Sequence, residues 1–176
     1  MGRDKGALRV GGESLLARQA RVLAQAGVGE RIVSLRPGQP HPDPSVELPV
    51  VRDAESDRGP LEGIVAGLAR VAPRALVVLA VDMPGVTPRE LRPLVAWEDP
   101  ECSVAYRVGG RWEPLCARYA PDVLADARSR LSRGRLAPTD LLDDLARQER
   151  LRAIDLPAGE GAAFRSWNRP GDVVGG

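Results

Sequence analysis

Asp82 closes an uninterrupted apolar run, Ala75-Leu-Val-Val-Leu-Ala-Val81, and Pro84 follows two positions later. In open α/β sheets ligands gather beyond the carboxyl ends of the strands. A carboxylate at such an end is a hard oxygen donor that can hold a divalent cation against phosphates. The same carboxylate can also serve only to shape the turn that follows, and the residue alone does not separate the two. A second candidate is the glycine pair Gly63 and Gly67 in Arg58-Gly-Pro-Leu-Glu-Gly63-Ile-Val-Ala-Gly67. Glycines four apart lie on one face of a helix. They allow either close packing of that helix on a sheet or close approach of backbone to an anionic ligand near the helix start. Asn168, in the irregular stretch Phe164-Arg-Ser-Trp-Asn168, can bond a ligand or shape a turn. His41 is the only histidine and sits among prolines, which argues against a His-based triad. Cys102 and Cys116 form no CxxC or Cys/His cluster, so neither a disulfide framework nor zinc is expected.

These candidates need elements to position them. The apolar run to Asp82, bracketed by Pro73 and Pro84, suits a strand buried on both faces, as in a parallel sheet. The spacing predicts a helix over Glu13 to Ala26, with Ser14 as a cap, and strands at Ile32–Leu35 and Val46–Val51. A further helix runs from Pro60, well suited to a first helical position, to about Val71. Another runs from about Pro88 to Val95. Ser103–Val108 and Arg111–Tyr119 read as a hairpin across Gly109-Gly110, with Glu113-Pro114 at an edge, a bulge or a strand start. Helices over Pro121–Leu131 and Thr139–Arg147 precede a last strand, Leu151–Leu156. This alternation predicts an α/β fold with a mainly parallel sheet and helices on both faces. A strand is missing from its beginning.

The chain has 176 residues, enough for one domain with a substantial core. Lys plus Arg number 25 against 24 acidic residues, which gives no footing for nucleic acid or an acidic membrane surface. No apolar run reaches membrane-spanning length and no signal peptide opens the sequence, so a cytoplasmic protein is expected.

Five segments, in order, together resemble one family. They are the opening Met-Gly-Arg-Asp4-Lys5, then Gly59-Pro-Leu-Glu-Gly63, Val81-Asp82-Met-Pro84, Glu113-Pro-Leu-Cys-Ala117 and Trp167-Asn168-Arg-Pro-Gly-Asp172. They are similar to signatures of the molybdenum cofactor guanylyltransferases, within the Rossmann-like nucleotidyltransferases. The resemblance implies transfer of GMP from GTP to molybdopterin with release of pyrophosphate. It implies Mg²⁺ held by Asp82, Lys5 neutralising phosphate charge, and Asp53 beside the guanine. Ser34 and Gly63 would lie near the nucleotide, and Asn168 would contact the pterin side. GTP and molybdopterin are then the small-molecule partners, with proteins that insert or deliver the molybdenum cofactor as further ones.

Three departures from the family pattern carry expectations of their own. The Gly-Gly phosphate loop and the strand before it are absent ahead of Met1, so the sequence reads as a single nucleotidyltransferase domain, 1–176, lacking its first strand. Losing a central strand would cost more than the roughly 5–15 kcal/mol of a domain's net stability, which points to a mis-started or truncated version of a longer protein. Ser34 stands where the family often has Asn, and Ser166 replaces the first Asn of the closing motif. Rival readings are a related cytidylyl- or sugar-phosphate nucleotidyltransferase and an inactive binding paralogue. A dinucleotide oxidoreductase lacks the Gly-x-Gly-x-x-Gly turn that it would need.

Overall fold

A computed structural model describes residues 5–55 and 58–167. A 3-10 turn, Lys5–Ala7, leads into a small antiparallel hairpin, β1 (Arg9–Val10) and β2 (Glu13–Ser14). The hairpin turns on Gly11 and Gly12, both at positive φ (58° and 85°), a conformation that glycine adopts without penalty. This corrects the expected helix start. Glu13 and Ser14 are extended, and α1 (Leu15–Gln25) begins after them, with Ser14 Oγ accepting from the Ala17 N–H at 3.0 Å.

β3 (Val33–Leu35) and β4 (Val50–Arg52) pair in parallel as a two-stranded sheet. The expected strand over Val46–Val51 is mostly loop, because Val46 and Leu48 pack beneath Leu16, Val33 and Leu35 without entering the ladder. After α2 (Pro60–Val71) comes β5 (Leu76–Leu79), followed by α3 (Pro88–Val95), whose N-terminus is closed by a capping box. There the Thr87 N–H donates to Glu90 Oε2 at 2.9 Å.

β6 (Ser103–Val108) and β7 (Arg111–Tyr119) form the expected hairpin. Its register shifts between Ala105 and Arg107, so Glu113-Pro114 sits in an irregularity where a missing N–H breaks no ladder bond. The Tyr119 hydroxyl donates to the Pro114 carbonyl at 2.9 Å across it. Helices α4 (Val123–Ser132) and α5 (Pro138–Arg147), strand β8 (Leu151–Leu156) and a 3-10 segment, Ala158–Phe164, complete the described chain.

The larger sheet has strand order β5-β7-β6-β8. β6 and β8 are parallel, and β7 lies antiparallel between β5 and β6. Leu76 and Val78 face a core built with α2, α4 and α5, whereas Val77 and Leu79 face one built with α1 and α3. Both faces of β5 are therefore covered, which is why its sequence shows no polar alternation. Among the described residues β5 pairs on one side only, with β7, and β3 pairs on one side only, with β4. No helix among the described residues is long and apolar enough to cross a membrane.

Candidate active site

Two side-chain pairs meet at the carboxyl ends of the strands. Beyond β5, Asp82 Oδ2 accepts from Lys5 Nζ at 2.8 Å, with the Asp82 side chain 18% exposed. The residues are 77 apart in sequence, so only the fold brings them together. Beyond β4, Asp53 Oδ1 accepts from Ser34 Oγ at 3.1 Å. A Cβ on Gly63 would lie 2.9 Å from Ser34 Oγ and 3.6 Å from Asp53 Oδ1. Gly63 is thus glycine because this constellation approaches its backbone. Gly67 has a different reason, since its missing Cβ would lie 2.7 Å from Leu76 Cδ2. Both contacts are close packing of α2 against residues of the strands and their ends.

Ser34, Asp53 and Gly63 line a cavity of about 320 Å³ that also reaches Ala80 and Val81, just before Asp82. Burial pushes the Asp53 carboxyl above its ordinary pKa, more than the Ser34 hydrogen bond and Arg36 pull it down. An anion held partly out of water with one hydroxyl donor is ready to accept further donors from a ligand.

Helix α1 holds the turn that carries Asp82. Gln19 Nε2 donates to the Ala80 carbonyl at 3.1 Å and the Met83 carbonyl at 2.8 Å, and Arg18 Nε donates to the Pro84 carbonyl at 2.9 Å. Sequence reasoning missed both residues. The signal was a glutamine among Leu15, Leu16 and Leu23 on the buried face of an amphipathic helix, where a polar side chain needs partners. Gln19→Leu leaves two carbonyls without that donor. The expected result is a lower melting temperature with the CD spectrum retained. Gln19→Glu, unable to donate when ionised, should lower the melting temperature as Gln19→Leu does.

The Trp167 N–H donates to the Asp82 carbonyl at 2.8 Å, so the closing segment returns to the metal-candidate turn. Asn168 lies outside the described residues. The Glu113–Ala117 segment contributes Leu115 to the cavity wall, while Cys116 is fully buried and its thiol is pushed up by that burial. Cys116 is therefore a core residue.

Among the described residues no three Asp, Glu, His or Cys side chains cluster as a metal site. A single carboxylate suits Mg²⁺, which keeps several waters and takes its other oxygens from substrate phosphates. Asp82 fits that role, and it does not make a closed protein cage of the kind that holds zinc.

The family described as the MobA-like NTP transferase domain matches residues 1–149. The chain is 37% identical over 175 residues to a probable molybdenum cofactor guanylyltransferase of Opitutus terrae, covering 98% of this chain and 86% of that protein. Two solved structures share the fold. One is the molybdopterin-guanine dinucleotide biosynthesis protein A of Archaeoglobus fulgidus, with a TM-score of 0.66, 23% identity, and 96% of this chain and 86% of that one covered. The other is a nucleotidyl transferase of Methanothermobacter thermautotrophicus, with a TM-score of 0.73, 20% identity, and 96% and 81% covered. Family match and near full-length similarity together place this chain in the MobA-like NTP transferase family.

Proposed function

We propose that this nucleotidyltransferase moves GMP from GTP to the terminal phosphate of molybdopterin, in the cytoplasm, with Mg²⁺. An acceptor phosphate oxygen attacks the α-phosphorus of GTP, the bond to the bridging oxygen of the β-phosphate breaks, and pyrophosphate leaves with that electron pair. The observation that carries this reading is the pairing of Lys5 with Asp82, the residue that follows Val81 in the wall of a cavity that Asp53 also lines.

Each residue has a defined task. Asp82 would hold the metal, which when bound offsets triphosphate charge and polarises the α-phosphorus. Lys5 Nζ exchanges Asp82 for a phosphate oxygen and neutralises charge as the transition state forms. Asp53 accepts from the guanine N1–H and 2-amino group, a pair of donors that cytosine and adenine do not present in this arrangement. Ser34 holds the Asp53 carboxylate in place, and the bare Gly63 backbone lets the base approach. On this reading Asn168 meets the pterin side. Catalysis is mainly alignment and charge neutralisation.

The test is Asp53→Asn, which keeps size and the Ser34 hydrogen bond but removes the charge. Hydrogen bonds to a charged group contribute about 1.5–3 kcal/mol each, so kcat/KM with GTP should fall about 10- to 100-fold. Inosine triphosphate lacks the 2-amino group, and its disadvantage against GTP should largely vanish in the variant. Unaltered GTP preference would remove Asp53 from base selection. The same substitution should raise thermal stability at pH 7. A raised carboxyl pKa means that the folded state binds the proton better than the unfolded one. Its contribution is present below the ordinary Asp value and is lost as pH rises through the raised one. Asn removes that cost at neutral pH, so the stability gain should shrink on acidification.

A further inference from the structure

We propose that the groove between α4 and α5 binds one phosphate group, as the free ion or as the end of a small phosphate ester, on a cluster of arginines. The inference concerns a second site and does not rest on the transfer reaction.

Spacing of three and four residues brings Asp126, Arg130 and Arg133 to one side of α4 and its C-cap. The same spacing brings Leu141, Asp144 and Gln148 to the facing side of α5 and its C-cap. With Arg135 from the connecting turn they line a cavity of about 130 Å³. It shares no lining residue with the cavity beside Ser34, Asp53 and Gly63.

Guanidinium groups crowd this cavity. Arg130, Arg135 and Arg147 all pair with one carboxylate, Asp144. The second carboxylate in the lining, Asp126, is taken by Arg150 at 2.8 Å, and Arg150 also holds Asp122 at 2.7 Å. Arg133 has no ion pair among the described residues. Burial, together with the nearby Arg135 and Arg147, holds the Arg130 guanidinium below its ordinary pKa, although Asp140 and Asp126 oppose the shift.

A stranded donor is the independent sign of a ligand. Arg130 is 5% exposed, and its Nη2 serves both Asp144 and the Asp140 carbonyl, the latter at 2.8 Å. Its Nη1 is buried with no hydrogen-bond partner among the described residues. A buried charged N–H without an acceptor is costly. Phosphate supplies what the cluster lacks: negative charge, several acceptor oxygens, and a shape that guanidinium forks match two bonds at a time. The cavity offers several times the space that one water needs. In this arrangement Asp144 keeps Arg147 and the Arg130 Nη2, and the phosphate takes the Arg130 Nη1, Arg133 and Arg135.

Titration of the full chain with inorganic phosphate, without nucleotide or metal, tests this by calorimetry and thermal melting. Sodium chloride at matched ionic strength is the control. Saturable binding of one phosphate per chain is expected, with the melting temperature raised by roughly 5–10 °C at a hundredfold the dissociation constant. The Nε–H signal of Arg130 should shift over the same titration. Arg133 and Arg135 are exposed, so Arg133→Ala and Arg135→Ala leave the fold intact, and each should weaken binding about tenfold or more. Lys5→Ala removes the cation of the transfer site and should leave phosphate binding unchanged. Phenyl phosphate separates the two sources: binding as tight as that of phosphate assigns the groove to an ester's end, and binding more than about tenfold weaker assigns it to the free ion. Absence of saturable binding, equal stabilisation by chloride, or an Arg130 signal that does not move would overturn the proposal. Binding lost in Lys5→Ala but kept in both arginine variants would give the phosphate to the transfer site and overturn it as well.

Discussion

Asp82→Ala is expected to lower Mg²⁺-dependent guanylyl transfer by about a thousandfold or more, the scale on which charge stabilisation at a transferring phosphoryl group operates. Its cost in stability should be small. The ion pair that it removes is with a Lys5 side chain 41% exposed, and pairs of that kind contribute about 0–1 kcal/mol. The hydrogen bond from the Trp167 N–H uses the Asp82 backbone carbonyl and survives the change. Single-turnover transfer across a Mg²⁺ titration, read beside a thermal melt, separates lost chemistry from lost fold. Asp82→Asn should lose nearly as much, because an amide oxygen is a poor substitute for a carboxylate on this metal. Turnover equal to the parent's in either variant would sink the metal assignment.

Lys5→Ala should cost about a hundred- to a thousandfold in kcat, with a smaller change in the KM for GTP, because its charge is needed most where negative charge develops. Lys5→Arg is expected to recover only part of the loss, since a planar guanidinium does not reproduce a compact ammonium. Lys5 and Asp82 touch in the structure, so their effects should not add. The double variant should fall to within about tenfold of Asp82→Ala alone. A loss equal to the product of the two single losses would mean that the residues act independently.

Much of the architecture was legible because local chemistry and tertiary context agree. Pro60 and Pro88 sit at the first turns of α2 and α3, and the expected boundaries of both helices match those observed. The Gly-Gly hairpin between β6 and β7 and the strand Leu151–Leu156 were equally plain. Apolar spacing misled where it reports burial without pairing. Val46 and Leu48 are packed but loop-bound, and Ala75–Val81 contributes only Leu76–Leu79 to the ladder. The head of α1 was misplaced because the Gly11-Gly12 turn claims Glu13 and Ser14 for a hairpin, a long-range choice that helical spacing cannot register.

The site was less legible than the fold. Asp82 stood out from its position after the apolar run. Lys5, Ser34 and Asp53 carried roles only through family resemblance, because their meeting depends on the β3–β4 pairing and on a contact spanning 77 positions. Gln19 and Arg18 act on carbonyls, and backbone acceptors leave no mark on a sequence.

The most direct test of the account follows the label from α-phosphate-labelled GTP in the presence of molybdopterin and Mg²⁺, with CTP and ATP run in parallel. The account predicts label in a molybdopterin-guanine dinucleotide, equimolar pyrophosphate, dependence on the metal, and a strong preference for GTP. Transfer from CTP at comparable efficiency, or GTP binding with no transfer to molybdopterin, would contradict it.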